Sequence, residues 1–182
     1  LGVMDKAGRL VPPGAEGEIV VAGDLVMTGY LDMPEATAAT LVDGWLHTGD
    51  GGVIDERGYL FLKDRLRDVI ITGGFNVYPS DVEAALTRHP AVHECVVFGL
   101  PNDKWGEAVN AAIQLRAGAR ASADDIIAFA KSELGSVKAP KRIAFYPDLP
   151  RSPVGKVLRR EVKERELRSV ERVPSPTGRG TG

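Results

Sequence analysis

A lysine beside a glycine is the first candidate for chemistry in this chain of 182 residues. Gly155-Lys156 matches the Gly-Lys pair of the phosphate-binding loop motif, in which backbone N–H groups and the lysine hold phosphates. That motif also needs a glycine five residues before Gly155 and a Ser or Thr after the lysine. Pro150 and Val157 occupy those positions. The phosphate loop is therefore excluded, and Lys156 needs another explanation.

The spacing of the other reactive side chains gives little support to metal binding or nucleophilic catalysis. His47, His89 and His93 have no partners at metal-ligand spacing. A single cysteine, Cys95, makes neither a zinc site nor an internal disulfide, which fits a reducing cytoplasm. No nucleophile, acid and base can be paired from spacing. We therefore expect no metal site in this chain and a cytoplasmic protein.

Composition excludes several classes of partner. The net charge is −2 and the apolar content is 43%, so nothing points to nucleic acid or to an anionic membrane surface. No apolar run approaches the roughly 20 residues that a transmembrane helix needs. The chain begins with Leu1 rather than Met and has no signal-peptide pattern. We expect a part of a longer protein.

The elements before residue 66 are predicted to be mostly strands. Gly17–Ala22 is a strand-like run, and a short helix is predicted over Asp32–Leu41, with Pro34 in its first turn. A β-meander follows from Gly44 to Leu62. Its Gly49-Asp50 corner should point a carboxylate out of the sheet.

A change of character occurs over residues 63–74. Lys63–Asp68 is a charged run that should bury little and form a joint between two cores. Val69–Ile71 is predicted to be a short strand, and Gly73-Gly74 a turn without side chains that a ligand could approach closely.

Capped helices and strands alternate after the joint, which predicts a compact α+β domain. Ser80 and Glu83 form the pattern of a capping box, and Ser122 should cap a second helix with Ile126 on its buried face. The predicted elements are a helix from Ser80 to His89, strands Val92–Leu100 and Ala108–Leu115, a helix from Ser122 to Leu134, a strand Ile143–Tyr146 and a helix Val157–Arg168.

Five segments, none of them decisive alone, occur in one order: Gly29-Tyr30, Gly44–Asp50, Asp64–Asp68, Gly73–Glu83 and Pro150–Lys156. With this ordered set, residues 14–168 resemble the C-terminal portion of the adenylate-forming enzymes, the superfamily of acyl-CoA synthetases, luciferases and adenylation domains. The run Phe98–Glu107 favours the acyl-CoA synthetase branch. The resemblance implies two parts: the β-rich end of a large AMP-binding domain in residues 1–66 and a small mobile C-terminal domain in 67–168. Residues 169–182 have almost no apolar content to fold around and are predicted to be a disordered tail.

The resemblance also implies a two-step reaction. A carboxylic acid of the fatty-acid class reacts with ATP, which is bound together with Mg, to give an acyl-adenylate and pyrophosphate. The small domain then rotates about a hinge, and the thiol of CoA attacks the adenylate. By matching position, Arg67 is the hinge residue, although most relatives carry Asp or Lys there.

Roles on the nucleotide follow in the same way. Asp50 matches the residue that holds the ribose hydroxyls, a task that suits a carboxylate because it accepts from two donors. Arg65 matches a second contact to the ribose or phosphate region. Lys156 is similar to the lysine that spans the α-phosphate and the substrate carboxylate, where charge builds during adenylation.

The implied CoA contacts lie in the small domain. Gly73-Gly74 would face the pantetheine arm, Trp105 would stack near the nucleotide, and Lys141 would lie near its phosphates. Val137 and Ala139 depart from relatives that use an aromatic residue and an Arg there. A role in the core is the alternative for Trp105.

The family's phosphate loop, its magnesium-binding Glu and its acyl pocket belong to an N-terminal domain outside this sequence. We therefore expect the chain alone to be inactive, because activity requires that domain. Two alternatives stay open: an adenylation domain that loads a carrier-protein phosphopantetheine, and a non-enzymatic binding module that keeps the fold.

Overall fold

The structure, a computed structural model, describes residues 1–171. The chain divides into two compact units, one of Leu1–Val69 and one that begins at Ile70. Each unit is built on its own five-stranded sheet. The predicted α+β class is confirmed. None of the helices within residues 1–171 is long and apolar enough to cross a membrane.

The first unit is an antiparallel sheet with the order β1-β2-β4-β3, in which β5 also pairs with β4. Its elements are β1 (Gly2–Met4), β2 (Glu16–Val21), α1 (Pro34–Thr40), β3 (Leu41–Val42), β4 (Trp45–Ile54) and β5 (Leu60–Arg65). The predicted meander is confirmed as the β4–β5 hairpin. Its turn is held by Asp55, whose carboxylate accepts the backbone N–H groups of Arg57 and Tyr59.

The predicted corner at Gly49-Asp50 is an irregularity inside one long strand. Along β4 the register with β5 shifts between Asp50 and Gly52, and the register with β2 shifts between Glu18 and Val20. Such bulges bend a strand and redirect a side chain. The irregularity accordingly begins at Asp50, the residue predicted to point its carboxylate out of the sheet.

The charged run Lys63–Asp68 differs from its prediction as a joint that buries little. Its first three residues continue β5, and pairing with β4 leaves Asp64 only 8% exposed. A short 3₁₀ helix, Leu66–Asp68, follows. The next strand, β6, is Ile70–Thr72, one residue later than predicted.

In the second unit β8 and β9 form a long antiparallel hairpin, β10 pairs parallel with β9, and β6 pairs with β7 and with β9. After β6 its elements are β7 (Phe75–Val77), α2 (Pro79–Leu86), β8 (Val92–Asn102), β9 (Gly106–Leu115), α3 (Ala123–Lys138), β10 (Arg142–Phe145) and α4 (Arg159–Glu171). The predicted alternation of helices and strands is confirmed. Strand β8 ends at Asn102, two residues after its predicted end at Leu100.

Alternation along β8 divides the apolar side chains between two cores. Val97 belongs to the cluster that also contains Leu86 of α2 and Ile126 of α3. Phe98, one residue on, belongs to the cluster that contains Val162 of α4. Since side chains in a strand point alternately to opposite faces, β8 is covered on both sides. This explains its nearly continuous apolar sequence.

Helix caps were predicted correctly for α3 and wrongly for α2. Ser122 Oγ accepts the N–H of Asp125 at 3.1 Å, and the Asp125 carboxylate accepts the N–H of Ser122 at 3.0 Å. Helix α2 begins at Pro79, so Tyr78 rather than Ser80 is its N-cap, and it ends at Leu86 rather than His89. The predicted capping partner, Glu83, binds elsewhere, because its carboxylate accepts the N–H of Val97 at 2.7 Å.

The last helix extends further than predicted. The sequence predicts disorder from Ser169, but α4 runs to Glu171. Arg142 on β10 donates a hydrogen bond to Ser169 Oγ at 3.1 Å, which extends the contacts of α4 into its last turn. The rest of the predicted tail, 172–182, lies outside the described residues.

Candidate functional site

Asp50 and Arg65 lie together on the first sheet. They are directly paired across β4 and β5, and Arg65 Nε is 3.1 Å from Asp50 Oδ1. Their side chains are 36% and 55% exposed respectively. A pair this exposed adds little to stability. The arrangement therefore presents a carboxylate and a guanidinium to solvent at one place, where an acceptor for two hydroxyl groups lies beside a donor for an anion.

Glu18 supports this pair, and the sequence did not point to it. Its Oε1 accepts the N–H of Gly49 at 2.9 Å, and its Oε2 lies 2.8 Å from His47 Nδ1. Thr48 adds a second support, since its hydroxyl donates to the Ile19 carbonyl and accepts the N–H of Asp50. Strand β2 thus fixes the backbone that leads into Asp50. A contact between residues about 30 positions apart has no local sequence signal.

A cavity of about 320 Å³ lies in the second unit. It is lined by Thr72, Gly73, Phe75, Trp105, Ser136, Val137 and Lys141. Three of the residues predicted to contact CoA therefore meet here. Gly74, the fourth, adjoins the cavity as the next residue of the β6–β7 turn.

Backbone geometry explains how two of the cavity walls form. Gly73 and Gly74 have φ of +56° and +83°, values that favour glycine, and the Gly73 N–H donates to the Trp105 carbonyl at 2.9 Å. Gly135, with φ of +75°, interrupts α3 one residue after its predicted end. The chain beyond this break supplies Ser136 and Val137 to the cavity.

Trp105 is half-buried and belongs to neither of the two core clusters. The ammonium groups of Lys104 and Lys141 each lie 5.3 Å from the centre of its ring, within cation–π range. An aromatic face flanked by two cations suits a flat, anionic ligand.

Lys141 is held firmly at this cavity. Its Nζ donates to the carbonyl oxygens of Ser136, Val137 and Ala139, so the ammonium closes the C-terminal turn of α3. Burial, with a smaller contribution from the charge of Lys131, lowers the pKa of the Lys141 ammonium. Backbone carbonyl groups thus fix the position of the Lys141 ammonium at the cavity.

Lys156 lies in the loop between β10 and α4 and does not line the cavity. It is exposed, and within residues 1–171 its ammonium has no ion-pair partner. Arg67, the predicted hinge, lies in the 3₁₀ helix of the first unit, where its side chain is 77% exposed. The predicted site residues therefore fall into four places: the Asp50–Arg65 pair, the 3₁₀ helix with Arg67, the cavity and the Lys156 loop.

Other reactive groups of the described chain are not placed for chemistry. Cys95 is buried, and this burial, together with the charges of Glu83 and Glu94, raises the pKa of its thiol to about 12. Such a thiol is not a nucleophile at neutral pH. Within residues 1–171 no cluster of three or more His, Cys, Asp or Glu side chains could hold a metal ion.

Comparison with known proteins shows what this chain is similar to. The family model of the AMP-binding enzyme C-terminal domain matches residues 81–156. A fatty acid–[acyl-carrier-protein] ligase, ScoC, of Streptomyces coeruleorubidus is 47% identical over 163 residues, which cover 90% of this chain and 31% of the relative. A long-chain-fatty-acid–CoA ligase of Bacillus subtilis (strain 168) is 48% identical over 162 residues, covering 89% and 29%. The solved structure of ATP-bound MatB from Rhodopseudomonas palustris has a TM-score of 0.86 at 38% identity, covering 91% of this chain and 33% of that one.

The match to the AMP-binding enzyme C-terminal domain family thus lies within the second unit. The predicted resemblance to the adenylate-forming ligases is confirmed, since it extends over about nine-tenths of the chain. The chain spans about a third of the length of the curated relatives it matches.

Proposed function

We propose that this chain is the C-terminal portion of a cytoplasmic, ATP-dependent acid–thiol ligase. The enzyme activates a carboxylic acid of the fatty-acid class as an acyl-adenylate and transfers the acyl group to CoA. Residues 1–66 end its large domain, Arg67 is the hinge and 67–168 form the mobile domain. Mg accompanies the ATP, and we assign it no ligand in this chain.

The proposal depends most on the cavity. Gly73, Trp105 and Lys141, which are far apart in sequence, meet around one space of about 320 Å³. A glycine turn leaves room for a narrow arm, the indole offers a stacking face, and Lys141 supplies a fixed positive charge. Pantetheine, adenine and phosphate need these three features, respectively.

Different residues act in the two half-reactions. In the first, a carboxylate oxygen of the acid attacks the α-phosphorus of ATP, the bond to the β-phosphate oxygen breaks, and pyrophosphate leaves. Asp50 accepts hydrogen bonds from the ribose, Arg65 donates to the nucleotide, and the Lys156 ammonium stabilises charge on the α-phosphate and the carboxylate. In the second, the CoA thiol loses its proton and its sulfur attacks the acyl carbon, so that AMP leaves.

The cavity assignment predicts that Trp105→Ala and Lys141→Met in the full-length enzyme each raise the KM for CoA about tenfold. Removal of stacking or of one charged contact costs about 1–3 kcal/mol. The rate of adenylation should be unchanged. Steady-state kinetics with varied CoA, and pyrophosphate release without CoA, measure the two effects.

A truncated acceptor is the matched control for this test. Pantetheine lacks the nucleotide, so the variants and the unaltered enzyme should use it equally well. An unchanged KM for CoA in both variants would contradict the assignment.

A second prediction concerns Glu18. In the full-length enzyme, Glu18→Ala should raise the KM for ATP about tenfold, because the freed Gly49 N–H no longer fixes Asp50; a hydrogen bond to a charged group contributes about 1.5–3 kcal/mol. Glu18→Gln keeps an acceptor for Gly49 and should stay within about threefold. With 2′,3′-dideoxy-ATP, which lacks the hydroxyls assigned to Asp50, the variants should match the unaltered enzyme. The idea fails if Glu18→Ala leaves the KM for ATP unchanged.

The alternative acceptor is a carrier protein, and the 47% identity to ScoC, a fatty acid–[acyl-carrier-protein] ligase, is the observation that supports it. If the full-length enzyme acylates a carrier protein and not CoA, the carrier protein is the acceptor. The non-enzymatic alternative would require that the full-length protein form no acyl-adenylate from any acid, which pyrophosphate release tests directly.

A further inference from the structure

The loop that carries Lys156, residues 149–158, is closed by its own hydrogen bonds. The N–H of Ser152 donates to the Lys156 carbonyl, and the N–H of Gly155 donates to the Ser152 carbonyl, both at 2.8 Å. The N–H of Leu158 donates to the Pro150 carbonyl, also at 2.8 Å. These bonds define the shape of the loop. They do not by themselves fix its direction, because residues 153–156 are exposed.

An ion pair ties the first half of the loop to the sheet. The guanidinium of Arg151 binds the carboxylate of Glu94 on β8, 57 residues earlier in the chain. Arg151 Nη1 also donates to the Gly155 carbonyl at 3.1 Å. The Arg151 guanidinium therefore links the β8–β9 hairpin to the peptide bond immediately before Lys156.

A second ion pair ties the loop where it enters α4. Arg159 is three residues after Lys156, and its Nη2 lies 2.8 and 3.1 Å from the two carboxylate oxygens of Glu83. Glu83 is on α2 and also accepts the Val97 N–H of β8. Both ends of the loop are thus fastened to the α2–β8 part of the fold by Arg–Glu pairs.

We propose that Arg151 and Arg159 are positioning residues that aim the Lys156 ammonium for adenylation. This inference rests on the function proposed above for Lys156. A flexible side chain that must bridge two oxygens gains from a backbone held in one place, since a misplacement of 1 Å can cost about 10²-fold in rate.

The first test needs no activity and uses this chain. Arg151→Met should speed amide hydrogen exchange at Ser152, Gly155 and Leu158 about tenfold or more, with Val97 and Ile113 of the core unchanged. Arg165→Met is the matched control, because Arg165 forms an exposed pair with Glu161 on α4. If amide hydrogen exchange in the loop of the Arg151→Met variant equals that of the unaltered chain, the Arg151–Glu94 ion pair does not hold the loop in place.

Arg159 is tested by Arg159→Met, which removes the contact of Nη2 to both carboxylate oxygens of Glu83. Faster amide hydrogen exchange at Leu158, in a chain whose core amides exchange normally, supports a role of the Arg159–Glu83 pair in holding the loop. Unaltered exchange at Leu158 contradicts that role.

The second test is a double-mutant cycle in the full-length enzyme. Arg151→Met should slow adenylation about tenfold, less than the ~10²-fold of a 1 Å misplacement, and change thioester formation from supplied acyl-adenylate less than twofold. In a Lys156→Ala background the same change should have no further effect. An equal effect in both backgrounds overturns the positioning role and leaves the function of Lys156 standing. A Lys156→Ala enzyme with normal adenylation overturns both.

Discussion

Replacing Lys156 with alanine in the full-length enzyme should slow adenylation by about 10²–10³-fold, while the thioester half-reaction is largely spared. The expected loss corresponds to about 3–4 kcal/mol, the typical cost of removing one group that stabilises developing charge. The structure is consistent with such a role, because the ammonium is exposed and within residues 1–171 it is not engaged in an ion pair. The two half-reactions are measured separately, as pyrophosphate release and as thioester formation from synthetic acyl-adenylate plus CoA.

Two controls make this result specific. Lys6→Ala removes an exposed lysine of the first unit and should change neither rate. Acetylation of Lys156 removes the same charge as the alanine substitution and should give the same selective loss. If thioester formation fell as far as adenylation, the assignment of Lys156 to one half-reaction would be wrong.

Proline at position 67 should separate the half-reactions in the opposite sense. Arg67 lies in the short 3₁₀ helix Leu66–Asp68, a conformation whose φ is close to the −65° that proline imposes. Proline also disfavours the helical conformation of the residue before it, Leu66, so the substitution restricts the segment at two successive residues. We expect Arg67→Pro to retain adenylation and to lose CoA thioesterification.

Arg67→Ala is the matched control for the hinge. The guanidinium is 77% exposed and lies 4.0 Å from Asp68, so its removal costs little. Both half-reactions should therefore remain close to those of the unaltered enzyme, since the backbone rather than the side chain turns. A proline variant with both rates intact would place the pivot elsewhere.

Local patterns predicted the elements that depend on neighbouring residues. The Ser122 cap, the buried face of α3 and the β4–β5 hairpin all follow from groups within a few positions of one another. The end of α3 was predicted at Leu134, where Gly135 does interrupt the helix. These features survive because their hydrogen bonds and their periodicity are intrinsic to the segment.

Predictions failed where a distant partner competed with a local one. Ser80 and Glu83 have the spacing of a capping box, but the Glu83 carboxylate binds Val97 and Arg159, which are 14 and 76 residues away. The charged run after Leu62 was expected to bury little, yet pairing with β4 takes Asp64 inside. Such pairings exist only after the strands have met.

The sequence alone determined the class of fold and most of its elements, because residue type and spacing specify these directly, and it supplied the residues proposed for chemistry. Tertiary structure alone decided which of those residues meet. Strand pairing set Arg65 beside Asp50, and the turns at Gly73 and Gly135 brought Trp105 and Lys141 to one cavity. The supports from Glu18 and Arg151 were likewise decided by the fold, since each joins segments that lie tens of residues apart and meet only through the packing of the sheets.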